Sequence, residues 1–114
     1  MMASDNYRFV MSKDNTSPII QITCKNNAGT VVPVTGASNI QFEMWTQDKT
    51  TKKVDDNVNT SIVDGPAGQI DYTWQTGDTD TVGTFLSRFV VTFADGSIET
   101  FPNGGRYIKT IIGE

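Results

Sequence analysis

An all-β sandwich is the fold this sequence predicts, and three observations predict it. Apolar residues recur with a two-residue period. The clearest case is 84–93, where Phe85, Ser87, Phe89, Val91 and Phe93 fall on one side and Thr84, Leu86, Arg88, Val90 and Thr92 on the other. Clusters of Gly, Pro, Asn and Asp punctuate the chain about every 8 to 12 residues, the spacing of short strands. No window carries the 3.6-residue apolar stripe of an amphipathic helix. A chain of 114 residues has room for one core, and about seven to nine antiparallel strands would fill it. Their uneven lengths favour two packed sheets over a closed barrel.

In chain order, residues 1–17 hold one apolar cluster, Tyr7, Phe9, Val10 and Met11, without a sustained period. They read as an N-terminal arm ahead of a sandwich domain at 18–114. The arm is either a tail or a short strand packing on the domain edge or on a neighbouring subunit. Pro18 opens the first clear strand, a position where proline is tolerated, with Ile20, Ile22 and Cys24 on one face. Asn26-Asn27-Ala28-Gly29 is a turn, and 31–34 resumes as a strand that Pro33 assigns to an edge or to a switch between sheets. Over 39–46, Ile40, Phe42 and Met44 alternate with Gln41, Glu43 and Trp45, which leaves Trp45 on the polar face. The stretch 47–59 is a polar loop with a short strand at 52–54, and 60–63 is another short strand. Asp64-Gly65-Pro66-Ala67-Gly68 is dense turn chemistry, and in 69–75 Ile70, Tyr72 and Trp74 share a face. After the long strand, Asp95-Gly96 predicts a two-residue type I′ hairpin. The last strand, 106–112, is apolar on both faces, Tyr107 and Ile111 against Ile108 and Ile112. Phe42, Trp74, Phe85, Phe89 and Phe93 are expected to meet between the layers.

Chemistry-bearing residues are sparse. There is no histidine, which removes Ser-His-Asp and Cys-His arrangements and imidazole metal sites together. Cys24 is the only cysteine; alternating with Ile20 and Ile22, it reads as a small buried hydrophobe. Asp78 with Asp80, and Asp55 with Asp56 and Asn57, could ligate calcium. Neither group has an EF-hand spacing, and both fit local turn bonding better. Glu43 and Asp71 are outward carboxylates, and a cleft gathering them with Arg88 would be needed for acid–base catalysis. No cofactor is implied. The formal net charge is −4 and the nine Lys and Arg residues are scattered, which argues against nucleic acid. No apolar run reaches the ~20 residues of a membrane span, and residues 1–15 lack the apolar core of a signal peptide. Trp45 is the best surface-binding candidate, since exposed aromatics anchor protein interfaces and sugars alike; the alternative is that it packs under the 47–59 loop.

Several segments in order carry a resemblance: Gly68-Gln69-Ile70-Asp71-Tyr72-Thr73-Trp74, Gly77-Asp78-Thr79-Asp80, Gly83-Thr84-Phe85, Phe89-Val90-Val91-Thr92-Phe93-Ala94-Asp95-Gly96 and Thr100-Phe101-Pro102. Upstream, Ser17-Pro18, Asn27-Ala28-Gly29 and Val34-Thr35-Gly36-Ala37 before Ile40-Gln41-Phe42 also fit. Together they resemble the N-terminal immunoglobulin-like domain of the upper baseplate protein of siphophages. The resemblance implies an immunoglobulin-like antiparallel sandwich. It also implies a non-enzymatic structural role in a virion assembled in the bacterial cytoplasm, with other virion proteins or further copies of itself as partners. It transfers no catalytic or ligand residue. In that family the module commonly precedes a longer receptor-anchoring region, whereas this sequence ends at Glu114, so an accessory assembly role is expected. The alternative is a displayed binding module for a host-surface glycan or receptor. Tyr7, Phe9 and Trp45 are the expected interaction residues.

Overall fold

The computed structural model describes residues 8–114; Tyr7 lies outside them. Nine strands are present among the described residues: β1 (Arg8–Ser12), β2 (Ile20–Thr23), β3 (Asn39–Thr46), β4 (Lys52–Asp56), β5 (Thr60–Asp64), β6 (Gln69–Tyr72), β7 (Gly83–Thr92), β8 (Ile98–Phe101) and β9 (Ile108–Gly113). They form an immunoglobulin-like β-sandwich. The larger sheet has the order β1-β9-β7-β3-β4, with β8 also on β7, and the smaller has the order β2-β6-β5. The sequence β9-β7-β3-β4 corresponds to strands G, F, C and C′ of a variable-type immunoglobulin domain, and β2-β6-β5 to B, E and D. Strand β7 is long enough to serve two partners. Its first half pairs with β9 and its second half with β8, both on the same side.

The pairing is antiparallel except for β1 against β9, which is parallel. Residues 8–12 of the expected arm are thus an edge strand of the larger sheet, with Met11 and Phe9 turned to the core. Two apolar residues in alternation suffice for this once β9 supplies a ladder. That ladder lies about a hundred positions away in sequence, so local periodicity could not report it.

The long-strand alternation holds. Phe85, Ser87, Phe89 and Val91 are buried, while Phe93 is only partly so. Ser87 is accommodated in the core by a 2.7 Å hydrogen bond between its hydroxyl and that of Thr110 on β9. This pair also assigns the faces of β9: Ile108, Thr110 and Ile112 point inward, and Lys109 and Ile111 outward. At the centre, the Phe42 ring stacks on Tyr72 at 4.3 Å, meets Trp74 edge-on at 5.4 Å and lies 5.0 Å from Phe89. Phe9 reaches the same cluster, 5.9 Å from Trp74. The Tyr72 hydroxyl donates to the Asp78 carboxylate at 2.5 Å, which ties the loop after β6 to the core; burial first, then that carboxylate, pushes the phenol pKa up.

Two local expectations change. Residues 31–34 do not form a strand, although Val34 is fully buried. Pro33 has no N–H to give to a ladder, and the segment is held instead by single bonds from Val32 N to the Cys24 carbonyl and from Val34 N to the Gly65 carbonyl. The β7–β8 connection is not a type I′ turn. Only Gly96 has positive φ there, +90°, and Gly96 N and Phe93 N bond the carbonyls of Phe93 and Ser97. That is a three-residue loop with glycine at the left-handed position, and Asp95 fixes it by accepting from Ser97 N and Oγ at 2.9 and 2.7 Å.

Gly68 opens β6 at φ +69°, and a Cβ there would sit 2.6 Å from the Val32 carbonyl oxygen. Backbone strain and a clash with rigid backbone coincide at this position. Gly68→Ala is expected to lower the unfolding free energy by more than about 1 kcal/mol. Gly77→Ala, with φ +96° but open space around it, carries only the strain and should lose less. Urea denaturation of the two variants measures the difference.

Candidate interaction surface

The outer face of the larger sheet is built by cross-strand register. Glu43 lies opposite Arg88 on β7 and opposite Asp55 on β4, while Trp45 lies between Leu86 and Lys52. Arg88 Nε donates to Glu43 Oε1 at 2.8 Å, Lys52 Nζ stands 3.3 Å from Glu43 Oε2, and Trp45 Nε1 donates to Glu43 Oε1 at 3.3 Å. The cations are also covered by rings. Lys52 sits 5.0 Å from the Trp45 ring centre, and Lys49 and Arg88 lie 5.0 and 5.3 Å from that of Tyr107. Glu43 is only 9 % exposed. Burial pushes its carboxyl pKa up, but the hydrogen bonds from Arg88 and Trp45 and the charges of Arg88 and Lys52 outweigh it and hold it below the ordinary carboxylate value. Glu43 is therefore ionised at neutral pH, its oxygens are engaged, and it has no proton to donate.

Of the carboxylates singled out from the sequence, the fold brings Glu43 and Arg88 together and separates Asp71 from both. Asp71 lies on β6 in the other sheet and accepts from Ser61 Oγ at 2.5 Å. The two acidic pairs considered for calcium are likewise engaged in local structure. Asp78 accepts from Tyr72 and from Gln75 N at 2.8 Å. Asp80 pairs with Lys53 at 2.6 Å. Asp56 caps the turn through Val58 N and Asn59 N, and Asp55 accepts from Gln41 at 2.5 Å. Among the described residues, no group of three or more acidic or sulfur ligands converges on a metal position. Cys24 is fully buried, and burial, with the charge of Glu99, pushes its thiol up to about 12.

Trp45 is half-buried on the outer face, one side of its ring under Lys52. Phe9 is elsewhere, on the flank where the two sheets part. There a cleft of about 270 Å³ runs between β1 and β2, lined by Arg8, Phe9, Ile20, Ile22, Lys25 and Ile108 among others. The two expected contact residues thus mark two separate surfaces. The cleft was not foreseen, because β1, β2 and β9 contribute to it from three distant parts of the chain.

Strand edges differ sharply in chemistry. The β4 edge, Lys52–Asp56, carries four charges in five residues, the usual guard against pairing with another chain. The edges of β2 (Ile-Gln-Ile-Thr) and β1 lack that density, and on the far side of the smaller sheet β5 exposes Ile62 and Val63. In an immunoglobulin domain the strand corresponding to β2 has strand A as its outer neighbour. Here β1 has crossed to the larger sheet and, among the described strands, β2 pairs only with β6. No family model, no curated protein and no solved structure matches the chain.

Proposed function

We propose that the chain is a non-enzymatic structural module of a phage particle, built into the virion in the host cytoplasm and acting through protein–protein contacts. One observation carries the reading: a charge-dense β4 edge stands against β1 and β2 edges of lower charge density, which flank a cleft of mixed lining with Phe9, Ile20, Ile22 and Ile108 beside Arg8 and Lys25. Unpaired strand backbone beside a slot that can take side chains is the geometry by which sheets recruit a strand from another chain. The resemblance of the 68–102 segments to a siphophage baseplate module supplies the particle. A glycan-binding role is less well supported, because Lys52 already covers one face of the Trp45 ring, which a sugar would need for stacking.

The test is mass spectrometry of purified particles of the encoding phage after lysine cross-linking. The chain is expected among the virion proteins, with cross-links from Lys25 at the cleft to a virion protein or to a second copy. Absence of the chain from the particles would overturn the reading.

A further inference from the structure

We propose that copies of this chain join head to tail through the two ends of the smaller sheet, β5 of one copy running alongside β2 of the next. The inference rests on the assembly reading above and names its interface. Strands β2 and β5 are the outer members of the sheet and, among the described strands, each is paired only with β6. Within them the only charge is Asp64, at the end of β5. Neither edge therefore carries the charge density that guards β4.

Direction follows from topology. Both β2 and β5 are antiparallel to β6, so they are parallel to one another. Copies related by a rotation that keeps strand direction bring β5 against β2 as a parallel pair, with the C-terminal ends of the two strands together. At that end of β2 stand Lys25, just past the strand, and Arg8, on the other wall of the cleft. At that end of β5 stands Asp64. All three are exposed. None takes part in an ion pair among the described residues, and Asp64 accepts only a turn bond from Ala67 N at 3.1 Å. The cations of one edge and the carboxylate of the other are complementary across copies. A two-fold pairing of β2 with itself leaves Asp64, on the opposite edge of the sheet, away from Lys25 and Arg8.

The apolar surfaces correspond too. The cleft beside β2 offers Phe9, Ile22 and Ile108. The β5 edge exposes Ile62 at 38 % and Val63 at 46 %. A bulge between Ile62 and Asp64 interrupts the regular ladder of β5, so the pairing is short and the ion pair sets its register. Contact between two different surfaces of one protein closes into a ring or propagates as a filament, according to the rotation.

Sedimentation velocity of the full chain tests this. The native protein is expected to form species larger than the monomer as concentration rises, and to lose them in high salt, which screens exposed charges. Lys25→Glu and Asp64→Lys should each sediment as monomer, Lys25→Glu with the native melting temperature and Asp64→Lys with a small loss from the missing Ala67 turn bond. Asp64→Asn, which keeps an acceptor for Ala67, should weaken assembly without disturbing the turn. An equimolar mixture of Lys25→Glu and Asp64→Lys should recover the large species, because every junction between unlike copies again has opposite charges. A native protein that stays monomeric, single variants that assemble normally, or a mixture that stays monomeric would each overturn the proposal. A chain found in virions yet monomeric in solution would overturn this interface and leave the structural role standing. A chain missing from virions would remove that role whatever the sedimentation result.

Discussion

Phe42→Ala is expected to lower the unfolding free energy by about 3–5 kcal/mol. Phe42 is fully buried on β3, an interior strand of the larger sheet between β7 and β4. Among the described residues, it alone of the rings contacts Tyr72 and Trp74 as well as Phe89 beside it. Truncation opens a cavity bounded by three other aromatic side chains, and rings on sheet backbones cannot close it by small shifts. A domain of this size holds a total of about 5–15 kcal/mol, so the loss is a large fraction of it and the urea midpoint should fall steeply. Phe93→Ala, removing a ring only partly buried at the sheet end, should cost visibly less. Equal losses at the two positions would mean that the core is not centred on Phe42.

Arg88→Met is expected to cost about 1–3 kcal/mol at neutral pH, less than for a fully buried ion pair because the Arg88 side chain is 29 % exposed. Methionine keeps much of the stem that covers the sheet but leaves Glu43 with Lys52 and Trp45 as its remaining donors. The loss should depend on pH, with a sign that follows from the folded-state shift. The Glu43 carboxyl is held below its ordinary 4.5. The stabilisation it provides is therefore complete above that value and disappears as pH falls through the lowered folded-state pKa. The gap between native protein and Arg88→Met should be full at pH 7 and shrink in acid. Asp48, Asp56, Asp80 and Asp95 also have lowered pKa values and add to acid sensitivity in both proteins, so the difference isolates the Arg88 contribution. Denaturation midpoints at a series of pH values give it directly, and a gap independent of pH would mean that Arg88 acts by packing rather than by charge.

The strands were legible wherever one face is buried and the other wet, as at β3, β6 and β7, because burial imposes a two-residue period on the residues themselves. The expected 39–46 strand coincides with β3 for this reason. Legibility failed where a neighbour rather than the pattern decides. β1 exists because β9 offers it a ladder, and the inward face of β9 is selected by Thr110 meeting Ser87, a polar pair that no apolar count would choose. Pro33 defeated an apolar run that otherwise reads as strand. For the candidate surfaces, the outward placement of Trp45, Glu43 and Arg88 could be read from alternation. Their convergence could not, since it needs the β3–β7 and β3–β4 registers. The cleft at Phe9 depends on three strands and on where β1 pairs, and only the apolar character of Phe9 hinted at it.

The buried cysteine has a kinetic consequence. Cys24 is fully enclosed, its N–H bonded to the Gly68 carbonyl and its own carbonyl to Val32 N, and its thiol stays protonated in any neutral buffer. A thiol reagent can reach it only when the structure around it opens, so the rate of its reaction counts those openings rather than intrinsic sulfur reactivity. As the sole cysteine in the chain, it is an internal clock at the root of the sheet end assigned to the next copy, slowed by whatever holds that end shut.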